Sequence, residues 1–267
     1  MAIIRGIGKK RRIEMRIVLF RDAMGTLDDA SMVLTLKGES YRLSANASVS
    51  YGDTIRINGK EGIVTDFNPS MYSPAVSKTT QTIKPADYSY MIAMSGIRSG
   101  STVLESGVGS GQLTIAILWI IGRDGRLVSV DTSEKNIDSS RVNIEKFLGT
   151  ENWYPVVGDI RSYSTDETFD SVFLDIPDPW NCAQSLKGIM KPRSSVVTYS
   201  PNFNQTEKTV LAMESNGFYH VETCEILKRD LLVREGRTRP SSEMLSHTAF
   251  LSIFYKRSGF SFTAGKV

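Results

Sequence analysis

The sequence predicts an α/β protein in which a doubly wound, mostly parallel sheet follows a small N-terminal β-domain. Two observations carry this prediction: short strands with turn signals between them occupy residues 17–67, and from residue 87 onward strands alternate with helices. Such alternation is typical of a parallel sheet that is covered by helices on both faces. We therefore expect two domains, residues 1–70 and residues 71–267.

The N-terminal β-domain is predicted from short segments rich in β-branched and aliphatic residues. The dipeptides Lys37-Gly38 and Asn58-Gly59 are turn signals between them. The predicted strands are residues 32–36, 39–43, 54–57 and 62–65. A basic cluster precedes them, and it consists of Lys9, Lys10, Arg11, Arg12 and Arg16. Clusters of this kind contact phosphate in nucleic-acid-binding proteins, although a solvated tail is an equal alternative here.

The second domain follows a predicted linker at residues 68–77, which contains two prolines. Ser133 and Gly149 suggest the start and the end of one of its helices, and Gly217 ends another. The predicted helices are residues 87–97, 112–121, 133–148, 182–190 and 205–216. The predicted strands are residues 102–105, 127–130, 153–157, 171–174 and 195–199, with an antiparallel finish at 219–229 and 248–255.

Composition excludes several classes of protein. Forty per cent of the 267 residues are apolar and 23% are charged, which is ordinary for a soluble globular protein. No apolar run reaches the roughly 20 residues that span a bilayer, and no signal-peptide cleavage site is evident. The two cysteines, Cys182 and Cys224, form neither a metal nor a disulfide framework. We therefore expect a cytoplasmic protein with no membrane partner and no metal.

A glycine-rich turn joins the strand at residues 102–105 to the helix at residues 112–121. Glycines there let a ligand approach the backbone without a Cβ in the way. The spacing is G-x-G-x-G and not the G-x-G-x-x-G of dinucleotide sites, so we expect no pyrophosphate. The predicted cofactor residues of this turn and of the helix start are Gly107, Gly109, Ser110, Gly111, Gln112 and Leu113.

Four acidic residues stand at the ends of four successive predicted strands: Glu105, Asp131, Asp159 and Asp175. Ligands of doubly wound sheets bind outside the carboxyl ends of the strands. Carboxylates beside a glycine turn suit a cofactor that carries its own cation, and S-adenosylmethionine carries a sulfonium and an ammonium. We expect Asp131, assisted by Asn136, to bind the ribose and Asp159 to bind the adenine amino group.

Asp175 is the predicted catalytic residue. Pro177 and Pro179 stiffen the segment that follows it, and Trp180 offers a face on which a base could stack. A carboxylate can accept a hydrogen bond from an amino group beside a ring nitrogen, which orients the base for methyl transfer. Pro177 and Trp180 are therefore predicted to contact the substrate.

Five motifs, in order, resemble those of the TrmI-type tRNA (adenine-N1)-methyltransferases, and the resemblance covers residues 81–254. Any one motif is weak evidence, but five in order are specific. The third is similar to L-D-L-P-x-P-W of the family, in which the aspartate is catalytic. The motifs are Q-T-I-K-P-A-D at 81–87, L-E-S-G-V-G-S-G-Q-L-T at 104–114, L-D-I-P-D-P-W at 174–180, Y-S-P at 199–201 with Gln205, and R-P with Met244 and H-T at 239–248.

The resemblance implies a Rossmann-like class I methyltransferase domain that transfers a methyl group from S-adenosylmethionine to N1 of a T-loop adenine. The usual target is position 58, with 57 as a further target that stays open. The resemblance also implies a homotetramer whose tRNA groove is built from more than one subunit. Within the fifth motif, Arg239 and His247 are expected near the substrate, His247 in a supporting role.

The sequence departs from the family pattern at several positions. Lys84 stands where the family has tyrosine, Ala86 where it has lysine, and Asp131 where it has glutamate. Two alternatives stay open. One is a methyltransferase of a small molecule or a protein, and the other is a non-catalytic RNA-binding subunit of the same fold. Such subunits tend to lose the glycine turn and the aspartate, and both are intact in this chain.

Overall fold

The computed structural model describes residues 15–21, 23–44, 48–71, 82–259 and 263. The predicted basic residues Lys9, Lys10, Arg11 and Arg12, and Gln81 of the first motif, lie outside these ranges. The chain divides into two units: Met1–Tyr72 with Glu145–Gly149, and Ser73–Ile144 with Thr150–Val267.

The first unit contains a six-stranded antiparallel sheet with the order β4-β3-β2-β1-β6-β5. Its strands are β1 (Met15–Phe20), β2 (Ala23–Asp28), β3 (Val33–Leu36), β4 (Glu39–Arg42), β5 (Thr54–Ile57) and β6 (Lys60–Thr65). Val18, Leu27 and Leu34 are fully buried in its core. The predicted small β-domain is confirmed, and β1 and β2 are two strands that the sequence analysis did not identify. Glycine is unusual inside a strand, but the Cα of Gly25 in β2 faces Leu34 so closely that a Cβ would lie 2.7 Å from its Cδ1.

The second unit contains a seven-stranded sheet with the order β12-β15-β11-β10-β7-β8-β9. The five strands from β11 to β9 are parallel to their neighbours, and β15 pairs antiparallel with both β11 and β12. This confirms the mostly parallel sheet and its antiparallel finish. The strands are β7 (Thr102–Ser106), β8 (Arg126–Asp131), β9 (Trp153–Val157), β10 (Phe169–Leu174), β11 (Met190–Ser200), β12 (Phe218–Cys224) and β15 (Phe250–Lys256), and a separate hairpin pairs β13 (Leu231–Leu232) with β14 (Arg239–Pro240).

Helices connect the strands of the parallel sheet in the alternation that the sequence predicts. They are α1 (Pro85–Ser95), α2 (Gln112–Ile121), α3 (Glu134–Glu145), α4 (Ala183–Ile189) and α5 (Phe203–Ser215). In the core, Leu104 of β7, Val128 of β8 and Val172 of β10 are each at most 2% exposed. The strands are therefore packed firmly, and their carboxyl ends form a fixed edge on which a site can be built.

Four of the five helices differ from the prediction at their ends. α1 is Pro85–Ser95 and not 87–97, and α3 is Glu134–Glu145 and not 133–148. The differences at α4 and α5 have local reasons. α5 begins two residues earlier than predicted because Asn202 caps it: its Oδ1 accepts a hydrogen bond from the N–H of Gln205 at 2.9 Å. Phe203 in the first turn is 76% exposed, so it adds nothing to the buried pattern that the prediction used. α4 is shorter than predicted because a 3-10 turn, Pro179–Cys182, occupies its expected start.

Within the described ranges, none of the helices is long and apolar enough to cross a bilayer.

Candidate active site

A cavity of about 730 Å³ opens at the carboxyl ends of β7, β8, β9 and β10. This is the edge at which ligands bind in doubly wound sheets. The residues that line it are Ser106, Gly107, Gly109, Val130, Asp131, Thr132, Asn136, Gly158, Asp159, Ile160, Arg161, Asp175, Ile176, Pro177 and Asp178. The four strand ends that the sequence singles out thus contribute to one cavity.

Gly107 lets the glycine turn lie directly against the loop that carries Asp175. Its φ is +91°, and a Cβ at this position would lie 2.0 Å from the carbonyl oxygen of Asp175. Only glycine fits, because both the backbone angle and the space exclude a side chain. Gly111 is also left-handed, with φ +80°, and a Cβ there would meet the side chain of Ser140 at 3.0 Å. The turn is therefore a bare stretch of backbone that borders the cavity.

Asp131 holds the glycine turn in place. Its Oδ2 accepts hydrogen bonds from the N–H groups of Val108 at 2.8 Å and Gly109 at 3.3 Å. Its Oδ1 accepts from the N–H of Ser133 at 2.8 Å, and Nδ2 of Asn136 lies 3.3 Å from both oxygens. Asp131 and Asn136, which the sequence analysis assigns to one ribose, are thus in contact with each other. Asp131 therefore fixes the backbone of the glycine turn and also lines the cavity.

Asp175 borders the cavity with a carboxylate that receives no hydrogen bond from the described residues. Its backbone is fixed, because its N–H donates to the carbonyl oxygen of Ser106 at 2.8 Å. Burial, followed by the negative charge of Asp131, raises the pKa of Asp175 from 3.8 to about 7. The carboxylate is therefore poorly solvated, and it is available to accept a hydrogen bond from a ligand.

Glu105 lies behind the turn and not on the cavity wall. Its carboxylate accepts hydrogen bonds from Oγ1 of Thr114 at 2.9 and 3.0 Å and from Oγ of Ser129 at 2.6 Å. The Ser129 hydroxyl in turn accepts from Nε1 of Trp153 at 2.9 Å. Burial raises the pKa of Glu105 to about 8, against the opposing effect of these hydrogen bonds. The geometry supports a role in holding β7, β8 and β9 together and gives no support to direct cofactor contact.

Asp159 is engaged by Arg161, a residue that the sequence analysis did not identify. Nε of Arg161 donates to the two oxygens of Asp159 at 2.8 and 2.9 Å, and its Nη1 donates to Oδ2 of Asp178 at 2.9 Å. The guanidinium lowers the pKa of Asp159. The two-residue spacing between Asp159 and Arg161 was visible in the sequence, but the contact with Asp178 depends on the fold.

The structure separates the predicted cofactor residues into two groups. Those on the cavity wall are Gly107, Gly109, Asp131, Asn136 and Asp159. Those that the structure does not bring to the wall are Glu105, Ser110, Gly111, Gln112 and Leu113. The second group follows from the geometry of the turn, which enters α2 and buries Gln112 and Leu113 to 3% exposure. Their direct contact with a cofactor stays a prediction.

Pro177 is the predicted substrate residue that reaches the cavity wall, whereas Trp180, Arg239 and His247 do not. Trp180 lies in the 3-10 turn, with Nζ of Lys208 5.3 Å from its ring centre. His247 contacts the Pro201 carbonyl oxygen at 2.9 Å through Nε2 and Glu225 at 2.5 Å through Nδ1. These two acceptors, the carbonyl first, raise its pKa. His247 therefore joins two loops.

Arg239 lines a second, smaller cavity of about 390 Å³ on the β13–β14 hairpin. Leu232, Arg234, Arg237 and Thr238 complete its wall. No carboxylate of the described residues forms an ion pair with these three arginines. The hairpin therefore presents concentrated positive charge that is free to meet an anionic partner.

The described part of the chain contains no group of three or more His, Cys, Asp or Glu side chains that could hold a metal ion.

Comparison with known proteins identifies relatives for most of the chain. A family model described as "tRNA methyltransferase complex GCD14 subunit" matches residues 63–249. The chain is 30% identical over 213 residues to the tRNA (adenine(57)-N(1)/adenine(58)-N(1))-methyltransferase TrmI of Methanocaldococcus jannaschii. That alignment covers 69% of this chain and 76% of the relative.

Two solved structures share the fold. A SAM-dependent O-methyltransferase from Thermotoga maritima has a TM-score of 0.80 and 23% identity, and the match covers 97% of this chain and all of that one. The tRNA (m1A58) methyltransferase TrmI from Aquifex aeolicus has a TM-score of 0.74 and 24% identity, with 92% and 98% covered. At this identity the likeness concerns the fold alone, and it confirms the Rossmann-like class I methyltransferase architecture.

Proposed function

The chain belongs to the family described as the GCD14 subunit of the tRNA methyltransferase complex, and on that premise we propose that it is an S-adenosylmethionine-dependent tRNA (adenine-N1)-methyltransferase. The proposed substrate is a T-loop adenine, at position 58 and with 57 as a further candidate, as in the name of the archaeal relative. One observation carries the proposal. The loop of Asp175 and the bare glycine turn meet at one cavity, where the Gly107 Cα hydrogen occupies the space beside the Asp175 carbonyl.

The residues of the cavity fit S-adenosylmethionine. A turn without Cβ atoms offers a flat backbone surface at Gly107 and Gly109, and the acids along the wall suit a ligand that carries positive charge. Asp131 and Asn136 offer oxygens to the hydroxyls of a ribose, and Asp159 offers an acceptor to an amino group. When bound, S-adenosylmethionine supplies a sulfonium-bound methyl group, whose C–S bond breaks as the adenine nitrogen attacks.

The proposed role of Asp175 follows from its environment. Its carboxylate lacks a hydrogen-bond donor among the described residues, so the exocyclic amine of an adenine can fill that place. The hydrogen bond would orient the ring and raise the electron density at N1. Ionised acceptors form hydrogen bonds that are roughly twice as strong as neutral ones, so Asp175 serves this role best when it is deprotonated.

The test is methylation of unmodified tRNA in the presence of isotopically labelled cofactor, followed by mass spectrometry of the nucleosides. The expected product is labelled 1-methyladenosine, and sequencing of the modified tRNA locates it at 58, at 57 or at both. Label in a protein or a small molecule, with none in tRNA, would support the first alternative function. Tight tRNA binding without any methyl transfer would support the non-catalytic alternative.

We also propose that the protein assembles as a homotetramer and works in the cytoplasm on tRNA. Exposed apolar side chains support an interaction surface, because large apolar patches on soluble proteins commonly mark contacts with partners. Five of them lie within one stretch of the chain, and they are Leu227, Leu231, Val233, Met244 and Leu245. The arginines of the β13–β14 hairpin belong to the same stretch, which is consistent with an RNA groove beside a subunit contact.

A further inference from the structure

One guanidinium links two loops in the wall of the active-site cavity. Arg161 follows β9 and binds both carboxylate oxygens of Asp159, which lies in the same loop. It also binds Asp178, which lies in the loop after β10. All three residues line the cavity. The function proposed above gives Arg161 no role, although it makes more charged contacts than any other residue on this wall.

The loop after β10 carries Asp175 and is held at three points. At its start, the N–H of Asp175 donates to the carbonyl oxygen of Ser106 at 2.8 Å. In its middle, Nε2 of Gln205 donates to the carbonyl oxygen of Pro177 at 3.0 Å. At its end, Nη1 of Arg161 provides the third point. The first two are neutral hydrogen bonds, whereas the third joins two ions and ties this loop to the loop after β9.

The position of the Asp175 carboxylate depends on this loop. No donor in the described ranges bonds to the carboxylate itself, so its backbone and packing determine where it points. Methyl transfer is sensitive to such placement, since the reacting atoms must be held at near-attack distance. An anchor three residues further along the loop can therefore affect the reaction without touching the substrate.

We propose that Arg161 is a positioning residue that fixes the loop of Asp175 and links it to Asp159 at the adenine end of the cofactor site. The proposal rests on the proposed function, because it requires Asp175 to meet the substrate. Asp178 occupies the position that the motif L-D-L-P-x-P-W leaves open. The link is thus a property of this chain's own residues and does not follow from the family pattern.

The link predicts that cofactor binding and turnover respond differently to the loss of Arg161. In the Arg161→Gln variant, Asp159 loses the guanidinium. Its Oδ1 keeps the hydrogen bond from the backbone N–H of residue 161 at 2.9 Å, and its Oδ2 becomes available to an adenine amino group. Affinity for S-adenosylhomocysteine should therefore stay within about twofold of the wild-type value or increase. Turnover should fall by about 10- to 100-fold, because the Asp175 loop loses an anchor. A residue needed only for folding would weaken both.

Arg126→Gln provides a matched control. Arg126 forms a bidentate ion pair with Glu167, with both distances 2.8 Å, and its side chain is 35% exposed against 48% for Arg161. It does not line the cavity. The variants Arg161→Gln, Asp178→Asn and their combination are compared with it by single-turnover methylation of unmodified tRNA and by calorimetry with S-adenosylhomocysteine. Both changes break the contact between Arg161 and Asp178, so the double variant should lose less turnover than the two single losses combined. Asp178 also accepts a hydrogen bond from Nδ2 of Asn181 at 2.7 Å, within its own loop, and Asp178→Asn keeps an oxygen for it.

A second measurement uses the cofactor-free protein. Of the three tryptophans, only Trp180 follows Asp178 closely, in the 3-10 turn. In ¹⁵N spectra of the indole groups, Arg161→Gln should move the Trp180 signal and leave those of Trp119 and Trp153 in place. Trp180→Phe assigns the signal. Arg126→Gln should leave the Trp180 signal unchanged.

Wild-type turnover in Arg161→Gln would overturn the proposal, and so would a Trp180 signal that does not move. A parallel loss of turnover and of S-adenosylhomocysteine binding would also overturn it, because that pattern indicates a general folding role. If the wild-type protein does not methylate tRNA, the proposed function fails instead. The indole signals and the calorimetry would then still decide whether Arg161 links the two loops.

Discussion

At the scale of single residues, Asp175 shows how a reactive group can be placed by its neighbours and not by bonds of its own. Its N–H donates a hydrogen bond to the carbonyl oxygen of Ser106, and its own carbonyl lies against Gly107. Its carboxylate has no hydrogen-bond donor among the residues that the structure describes. Burial favours the protonated form, while the proposed hydrogen bond to an adenine amine is stronger with the ionised form. Two predictions follow at this scale, one on substitution and one on pH.

Asp175→Asn preserves the shape of the side chain but replaces one acceptor oxygen by an amide donor. We expect turnover to fall by about 100-fold or more, the scale of a positioned polar group in a transition state. Single-turnover methylation of unmodified tRNA measures this. Affinity for S-adenosylhomocysteine, which lacks the sulfonium charge, should change much less because the glycine turn and Asp131 are intact. A variant that methylates N1 at the native rate would show that Asp175 is structural.

The raised pKa of Asp175, about 7, predicts a pH-dependent rate. Below this pH the free protein carries a protonated carboxyl, which cannot accept the hydrogen bond as a charged group. The value of kcat/KM should therefore fall about tenfold for each pH unit below about 7 and level off above it. Initial rates between about pH 5.5 and 8.5 at constant ionic strength test this expectation. A profile that is flat across the range is the contrary result.

At the scale of elements, Glu105 ties β7 to its neighbours through Thr114 and Ser129. Burial raises its pKa from an ordinary value of 4.5 to about 8 in the folded state. Between these values the folded state keeps a proton that the unfolded state has lost, so this group lowers the free energy of unfolding as pH rises through that window. Above about pH 8 its full penalty is reached.

Glu105→Gln removes this titration. Relative to the native protein, its free energy of unfolding should increase by about 4 kcal/mol between about pH 4.5 and about pH 8. Urea unfolding followed by tryptophan fluorescence measures it, since all three tryptophans lie in the second unit. Glu214→Gln, at an exposed position of α5 in the same unit, is the control and should show no such change. An equal pH response in both variants would contradict the assignment.

The three arginines of the β13–β14 hairpin allow a direct test of RNA binding. Replacing Arg234, Arg237 and Arg239 by glutamine should weaken tRNA binding and reduce the slope of log Kd against log salt by about 2 to 3. Fluorescence anisotropy over a salt series provides the slope. Arg126→Gln should retain the native slope. A hairpin variant whose salt dependence is also native would exclude these arginines from the RNA contact.

At the scale of the whole molecule, the exposed apolar side chains between residues 227 and 245 predict self-association. Light scattering at micromolar concentration should give four times the chain mass of 29.6 kDa. A double variant, Val233→Ser with Leu245→Ser, should shift the protein toward smaller species, because it removes apolar area from a contact surface. A monomer in the wild-type protein would refute the tetramer.

Much of the architecture could be predicted from the sequence because its signals are local. The strand ends at Asp131, Asp159 and Asp175 lie on one edge of a parallel sheet, so chain order alone brings them to one cavity. The direction of each side chain could not be predicted. Glu105 points into the sheet toward Ser129, whereas Asp131 meets the turn. The bond between Arg161 and Asp178 joins residues 17 positions apart through tertiary folding.

The close approach of Gly107 to Asp175 restricts which residues can replace Gly107. A side chain at 107 would collide with backbone and not with a flexible neighbour, so no nearby rotamer change could accommodate it. Gly109 is different: it is left-handed, with φ +54°, but a Cβ there would meet nothing within 4 Å. Asparagine or aspartate tolerates that conformation. Random mutagenesis with selection for folding alone should thus recover glycine at 107 and a small set of residues at 109, whereas selection for methyl transfer should recover glycine at both positions because both border the cavity.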